Sequence, residues 1–130
     1  MPYLIDTDWL IDYPDGKSDA LSLIDPLIPA GVAISIISYM ELYQGVLRKS
    51  NVEQAKIELA AFLQGIPVVP ISTEVAERCA ILREDLRKQG RRVRSRALDL
   101  ITAAIALEHN LTLVTRNRDD YEDVTGLVLL

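Results

Sequence analysis

Short apolar runs alternate with stretches of helical periodicity along this chain. Residues 3–5, 32–37 and 111–115 are rich in aliphatic and β-branched side chains and too short for helices, which predicts buried strands. The run at 66–71 contains two prolines, so we expect a short strand or one near the edge of the sheet. Residues 127–130 predict a terminal strand.

Helical patterns fill the segments between these strands. Gly65 and Gly90 mark helix ends, and Asn110 suits the left-handed position that follows a helix. Pro26 argues against the second half of the second helix. The last helix is apolar on almost every face, which indicates that it is buried. Helices are predicted at 8–13, 18–27, 38–49, 52–64, 73–89 and 97–109.

The alternation of strands and helices predicts the fold class. It is typical of an α/β sandwich, with a mostly parallel central sheet of four to five strands and right-handed crossovers. The length of 130 residues suits one domain over 1–130 with a substantial core. Apolar residues make up 49% of the chain and charged residues 25%, the balance of a globular protein.

Charge, hydropathy and cysteine usage narrow the class of protein. The net charge of -5 argues against a nucleic-acid coat protein, which would be basic, but not against an enzyme that acts on nucleic acid. No apolar run approaches the roughly 18 residues that cross a bilayer, and no signal peptide is recognisable. The only cysteine, Cys79, excludes an internal disulfide and fits a core position. We therefore expect a cytoplasmic protein with no membrane association.

Acidic side chains stand where the predicted strands end. Asp6 directly follows the first strand, Glu41 lies in the first turn of the helix after the second strand, and Asp99 begins the apolar helix. Three more polar side chains follow the fourth strand: Asn117, Asp119 and Asp120. Because the carboxyl ends of parallel strands open on one edge of a sheet, we expect these side chains to lie close together.

Several carboxylates at one sheet edge have a definite chemistry. They repel one another, so at least one keeps a proton unless cations are present. Oxygen ligands without paired His or Cys suit Mg²⁺ or Mn²⁺. Such ions stabilise the attacking and leaving oxygens of an in-line displacement at phosphorus. The residues by themselves therefore predict metal-dependent hydrolysis of a phosphodiester or a phosphate ester.

Each of these signals also has a structural interpretation. Ser38 and Glu41 fit a capping box, and an ion pair with Arg96 is the alternative for Asp99. Trp9 is either a core residue or a surface on which a base stacks. The basic segment before the apolar helix is either a solvated connector or a set of phosphate contacts. The candidate substrate-binding residues are Arg91, Arg92, Arg94, Arg96 and Arg116.

Four segments together resemble the motifs of PIN-domain ribonucleases, especially the VapC-type toxins of toxin–antitoxin pairs. Residues 4–11, Leu-Ile-Asp-Thr-Asp-Trp-Leu-Ile, resemble the opening motif. Residues 35–46 resemble the second motif, 99–106 the third and 113–122 the fourth, and Gly-Leu at 126–127 resembles the usual ending. The motifs occur in order and at fitting spacing over essentially the whole chain.

The resemblance implies a small α/β/α domain that cleaves RNA, often tRNA or rRNA, with Mg²⁺ or Mn²⁺. It implies that Asp6, Glu41 and Asp99 are the acidic triad. It also implies a homodimer and a cognate antitoxin, which would cover exposed apolar surface on the early helices. The candidate residues for that surface are Leu10, Ile11, Leu42, Val46 and Leu47.

The fourth position of the implied acidic site departs from the commonest family pattern. Asn117 stands where many relatives have Asp, so we expect Asp120 or Asp119 to compensate or a single metal ion to suffice. Asp8 stands where Asn is common and adds an acid near the site. Hydrogen bonds to the carboxylates or to metal-bound water are expected from three hydroxyl groups. These belong to Thr7, Ser38 and Thr115.

Two alternatives from other classes remain open at this point. In a haloacid-dehalogenase-like phosphatase, Asp6 would be the nucleophile and Asp8 the acid and base. That chemistry also needs a lysine ahead of the late acids, and no lysine follows Lys88. In a catalytically silent PIN-like module that binds RNA or protein, Asn117 would mark the lost activity.

Overall fold

The computed structural model describes residues 2–130 as a parallel sheet between helical layers. The strands are β1 (Tyr3–Ile5), β2 (Val32–Ser35), β3 (Val68–Val69) and β4 (Thr112–Val114). The helices are α1 (Thr7–Asp12), α2 (Ser18–Ile24), α3 (Ile36–Leu47), α4 (Val52–Phe62), α5 (Thr73–Lys88) and α6 (Ala97–Glu108). Short 3₁₀ segments lie at Asp25–Ala30, Arg94–Arg96 and Arg118–Asp120.

The order of the strands across the sheet places β1 in its interior. That order is β3-β2-β1-β4, and all three pairings are parallel. Leu4 of β1 is in register with Ala33 on one side and Leu113 on the other. The residue after β1 therefore enters the middle of the carboxyl edge, between the ends of β2 and β4.

Within residues 2–130 the sheet has four strands, with β3 at one edge and β4 at the other. β3 lies at one edge and has only two residues, as the prolines at 66–71 predicted. Residues 127–130 lie beside β4 with three backbone hydrogen bonds, but they form one isolated parallel bridge, from Leu129 to Leu113, and not a full strand. The described sheet therefore has four strands, and the separate terminal strand was wrong.

Alternate residues of the strands supply two separate cores. Leu4 is fully buried in the layer that contains Val75 of α5 and Leu100 of α6. Ile5, the next residue, packs on the opposite side against Leu10 and other residues of the early helices. Successive side chains of a strand point to opposite faces, so both faces of β1 need helical cover. The predicted α/β sandwich is confirmed.

The boundary between β2 and α3 differs from the prediction. β2 ends at Ser35, and Ile36 and Ile37 belong to the helix. The Ser35 side chain caps α3 by accepting a 3.0 Å hydrogen bond from the N–H of Ser38. The capping box that begins at Ser38 was therefore wrong. Glu41 lies in the second turn of α3 rather than in the first.

The remaining helix ends follow their punctuating residues. α2 ends at Ile24 and continues as a 3₁₀ segment with Pro26 in its first turn, as the proline predicted. Asn110 has a φ of 53°, which confirms the left-handed position after α6. Cys79 is buried in the core beside α6. Among the residues described, no helix combines the length and the apolar character that a membrane crossing requires.

Candidate active site

Asp6 lies at the carboxyl end of β1 and is the N-cap of α1. Its Oδ1 accepts a hydrogen bond of 2.9 Å from the backbone N–H of Thr7. Its Oδ2 accepts one of 2.8 Å from the hydroxyl of Thr115, the residue after β4. Only 9% of Asp6 is exposed, so these donors replace water around a nearly buried carboxylate. Their positions set the orientation of the acid.

Thr7 links Glu41 to Asp6, because its hydroxyl donates to Glu41 and its backbone N–H donates to Asp6. The Thr7 hydroxyl donates a 2.9 Å hydrogen bond to Oε1 of Glu41 and lies 2.9 Å from the hydroxyl of Ser38. A hydroxyl has one proton, so Thr7 accepts from Ser38 when it donates to Glu41. Thr7 and Ser38 are both buried. The Thr7 hydroxyl thus binds Glu41 directly, as predicted, whereas the Ser38 hydroxyl contacts Thr7 and Ser35 and no carboxylate among the described residues.

Asp99 reaches the same edge from the first turn of α6. The Tyr121 hydroxyl lies 3.2 Å from Oδ1 of Asp99 and 3.4 Å from Oδ2 of Asp6. One buried phenol therefore contacts carboxylates that are distant in sequence. The ion pair proposed as the alternative for Asp99 does not form, because Arg96 binds Asp123 instead.

Burial and mutual repulsion raise the pKa values of two of these acids. At Asp6 burial is the largest cause of the raised pKa, and the charge of Asp8 adds to it. At Asp99 burial again contributes most to the raised pKa, and the negative charges of Asp6 and Glu41 act in the same direction. The structure thus brings the three predicted acids within range of one another's fields.

The three acids at this edge of the sheet have no cationic partner in the ion pairs of the described residues, which favours binding of a metal cation. None of the ion pairs between described residues involves Asp6, Glu41 or Asp99, whose partners are neutral hydroxyl and amide donors. Within residues 2–130, no three His, Cys, Asp or Glu side chains form a compact preformed metal site. Mg²⁺ usually keeps several waters and takes only one or two protein carboxylates. The uncompensated oxygen donors therefore fit a hydrated divalent cation rather than one enclosed by protein.

At the predicted fourth position of the acidic site, Asn117 is hydrogen-bonded to Asp8. The backbone N–H of Asn117 donates to the Thr115 hydroxyl at 3.0 Å, and its side-chain amide donates to Oδ2 of Asp8 at 3.2 Å. Asn117 therefore orders the loop next to Asp6 without adding charge. Asp120 pairs with Arg92 at 3.0 Å, and Asp119 is exposed on the surface of the same loop.

The basic segment before α6 divides into exposed and buried members. Arg91 and Arg94 are exposed, and Arg92 is exposed apart from its bond to Asp120. Arg96 is only 3% exposed, and its guanidinium makes two hydrogen bonds to Asp123, at 2.6 and 2.7 Å. The prediction that Arg96 binds substrate phosphate was wrong, because this cation is already neutralised inside the protein.

Arg116 also has protein partners. Its guanidinium pairs with Asp12 at 2.5 Å and with Asp19 at 3.2 Å. Its central carbon lies 3.9 Å from the centre of the Trp9 ring, a cation–π contact. Arg116 therefore joins the loop after β4 to α1 and α2, and 32% of its side chain is exposed, so substrate binding by Arg116 stays a prediction. It also covers one face of Trp9, where a base was the alternative occupant.

Two residues of this site escaped the sequence analysis. Tyr121 ends the segment 116–121, which the sequence predicts as a polar loop or turn, and Asp123 follows that segment; yet Tyr121 is only 1% exposed. The available signal was an aromatic residue directly after two acids, Asp119 and Asp120, where an exposed turn would be wholly polar. Contacts with Asp6 and Asp99 could not be read from that signal.

Known families and proteins match this chain along its length. The family model described as PIN domain matches residues 3–127. Ribonuclease VapC2 of Rickettsia felis is 29% identical over 133 aligned residues, which cover 99% of this chain and 96% of that protein. The match leaves no support for the phosphatase alternative, which would require a different arrangement of acids and a lysine.

Solved structures match the fold as closely. In the crystal structure of VapBC2 from Rickettsia felis bound to a promoter DNA fragment, one chain is 26% identical and has a TM-score of 0.86. That alignment covers 100% of this chain and 98% of the other. VapBC-5 of Mycobacterium tuberculosis, from the VapBC family of toxin–antitoxin systems, is also 26% identical with a TM-score of 0.70. Coverage there is 99% of this chain and 95% of the other.

Proposed function

Because the chain belongs to the PIN domain family, we propose that it is an endoribonuclease and the toxin of a VapBC-type toxin–antitoxin system. In this proposal residues 1–130 are one nuclease domain that acts on RNA in the cytoplasm. The observation that carries it is the meeting of Asp6, Glu41 and Asp99 at one sheet edge, where none of the ion pairs between described residues includes any of them.

The metal part of the proposal rests on these three carboxylates. Asp6 and Asp99 would hold Mg²⁺ or Mn²⁺ directly or through water, and Glu41 would bind the same ion or orient the attacking water. Such an ion, when bound, makes water a stronger nucleophile and stabilises negative charge on phosphate oxygens. Thr7 occupies only Oε1 of Glu41, so Oε2 is available to bind the ion. At Asp6, the N–H of Thr7 occupies one lone pair of Oδ1, so a second lone pair of that oxygen is available as well.

The residues of the chain divide the remaining work of hydrolysis. Glu41 would take a proton from the water that attacks phosphorus in line. The bond from phosphorus to the 3′ oxygen breaks, and that oxygen takes up a proton from solvent water. The products are a 5′ phosphate and a 3′ hydroxyl, so the 2′ hydroxyl of the RNA is not the nucleophile. Arg91, Arg92 and Arg94 bind phosphates beside the cleaved bond from the exposed side of the loop before α6.

The partner in this proposal is a cognate antitoxin, with the toxin itself as a homodimer. Of the predicted apolar candidates, Ile11 and Leu47 are half exposed, at 50% and 54%, and Leu42 is half-buried. Leu10 and Val46 are buried in the core, so they do not contribute to a docking surface. The exposed ends of α1 and α3 are thus the proposed antitoxin contacts.

An RNA cleavage assay tests the enzymatic proposal. The protein is purified free of partners and incubated with total RNA, with Mg²⁺ or with EDTA, and the new ends are mapped. We expect cleavage only with the metal and with 5′ phosphate ends. Asp99→Asn should reduce the rate at least about 100-fold, above the usual effect of residues around a metal site. Asp15→Asn, in the exposed turn after α1, is the matched control.

Three results would contradict the proposal. Cleavage that persists in EDTA would exclude the metal, and wild-type cleavage by Asp99→Asn would exclude the acid. Failure of the pure wild-type protein to cleave tRNA, rRNA or any other RNA in the mixture would favour a silent binding module instead.

A further inference from the structure

The Tyr121 hydroxyl is buried between two of the candidate metal-binding acids. Tyr121 is only 1% exposed, and its ring packs in the same core as Leu100 of α6. Phenylalanine would fill the apolar part of this space without the cost of burying a hydroxyl. The hydroxyl compensates for that cost by its contacts of 3.2 Å with Asp99 and 3.4 Å with Asp6.

A buried ion pair holds the loop that carries Tyr121. Arg96 donates two hydrogen bonds to the carboxylate of Asp123 and one of 3.0 Å to the carbonyl oxygen of Asp120. It therefore binds the loop on both sides of Tyr121. Arg96 directly precedes α6, the helix that carries Asp99. The Arg96–Asp123 pair therefore fixes the distance between the phenol and that acid.

The hydrogen bonds leave particular oxygens of the two acids free. The single hydroxyl proton of Tyr121 lies between Oδ1 of Asp99, at 3.2 Å, and Oδ2 of Asp6, at 3.4 Å, and is donated to one of them at a time. Oδ2 of Asp6 also accepts from Thr115 and Oδ1 accepts the N–H of Thr7, so at least one acceptor site on Oδ1 remains. Asp99 accepts only from Tyr121, at Oδ1, and its Oδ2 has no donor among the described residues. Without the phenol, nothing in the described hydrogen bonds would prevent Asp99 from rotating away from Asp6.

We propose that Tyr121 is a positioning residue whose hydroxyl, held by the Arg96–Asp123 pair, orients Asp99 towards Asp6 for a shared divalent cation. This inference rests on the proposed function, because it concerns the same acids. The phenol does not bind the cation or the RNA. It limits the rotation of Asp99, so that the two carboxylates are ready for the ion before it binds.

Tyr121→Phe removes the hydroxyl and keeps the ring, so it isolates this role. Mn²⁺ binding is measured by calorimetric titration and by the loss of the free-ion electron paramagnetic resonance signal. We expect about 10-fold weaker Mn²⁺ binding than in wild type, the lower end for residues around a metal site. RNA cleavage should need a correspondingly higher Mg²⁺ concentration, while KM for RNA at saturating Mg²⁺ stays unchanged.

The control is Tyr43→Phe, which removes a hydroxyl from α3 outside the acidic site. It should bind Mn²⁺ as wild type does. Equal Mn²⁺ affinities for Tyr121→Phe and wild type, with metal-dependent cleavage in both, would overturn the inference and leave the proposed function intact. A wild-type protein that neither binds Mn²⁺ nor needs metal for cleavage would overturn both. A KM for RNA that rises at saturating Mg²⁺ would show that Tyr121 contacts substrate instead.

Discussion

The hydroxyl of Thr115 donates a 2.8 Å hydrogen bond to Oδ2 of Asp6, although 109 positions separate the two residues. Ile5 and Val114 are paired at the ends of β1 and β4, and Asp6 and Thr115 are the residues that follow them directly. This pairing therefore brings Asp6 and Thr115 together. The Thr115 hydroxyl also accepts the N–H of Asn117 at 3.0 Å. A contact between two strand ends thus orients the central acid of the site.

Thr115→Val tests this contact because valine keeps the shape and loses the hydroxyl. Asp6 then loses one of its donors and can turn from its orientation. We expect RNA cleavage to fall about 10-fold or more, as for other residues that orient metal ligands. Thr112→Val, at the start of the strand that Thr115 follows, is the control and should cleave RNA as wild type does. Equal RNA cleavage rates for the two variants would show that the Thr115 hydroxyl is not needed to orient Asp6.

The raised pKa of Asp99 predicts a pH-dependent cost to stability. The folded protein binds this proton more tightly than the unfolded chain does, so stability falls as the pH rises from the ordinary pKa of 3.8 through the raised value. Asparagine carries no charge and avoids this cost. Without divalent metal at pH 7, Asp99→Asn should therefore melt a few degrees above wild type, and the difference should shrink in acid.

Metal addition should reverse this order of melting temperatures. A cation that binds only the folded wild type raises its melting temperature by mass action, whereas Asp99→Asn has lost a ligand and gains less. Thermal unfolding followed by circular dichroism, with EDTA or with Mg²⁺, measures both effects. A lower melting temperature of Asp99→Asn in EDTA at pH 7 would mean that the acid stabilises the fold without metal.

The buried pair of Arg96 and Asp123 predicts a large effect of a single substitution. Asp123→Ala leaves the guanidinium of Arg96 without its counter-charge in a site that is 3% exposed. Breaking such a pair costs about 3–5 kcal/mol of unfolding free energy. Glu84→Ala, which breaks an exposed pair with Arg87, should cost less than about 1 kcal/mol. Urea denaturation compares the two, and similar losses would mean that burial adds nothing.

The contact of Arg116 with Trp9 predicts a change in fluorescence. Trp9 is the only tryptophan of the chain, so all tryptophan emission comes from the ring that Arg116 contacts. Arg116→Met should change the emission spectrum and cost about 1–2 kcal/mol, from one cation–π contact and two partly exposed ion pairs. Arg118→Met should change neither quantity. Weaker RNA binding with an unchanged spectrum would contradict this purely structural role and favour the predicted contact of Arg116 with substrate.

The order of the elements was predictable because it depends on local composition. Short apolar runs and helical periodicity can be recognised along the chain, and the four strands and six helices formed where these patterns occur. The run at 127–130 was the exception, since it makes only an isolated bridge. The boundary of β2 was not predictable, because Ile36 and Ile37 suit a strand in isolation. The serine cap at Ser35 and the packing of α3 overrode that preference.

The identity of the acids in the site, and their common sheet edge, were also predictable from the sequence. Asp6, Glu41 and Asp99 stand after strands or within a buried helix, where an acid must have a partner or a function. Parallel pairing then dictates a common edge. The basic residues were less predictable, since an arginine has the same local pattern whether it faces solvent or pairs inside the protein. Arg96 and Arg116 each found acids that lie far away in sequence.

The sequence by itself determined the alternation of strands and helices, the parallel sheet and the set of acids at its carboxyl edge. The tertiary structure alone decided which side chains orient those acids and which arginines are neutralised. The physical reason is range: propensity and periodicity act between near neighbours, whereas hydrogen bonds and ion pairs join whatever the fold brings within about 3 Å. Tyr121 shows the difference, because only packing against α6 places its hydroxyl between Asp6 and Asp99.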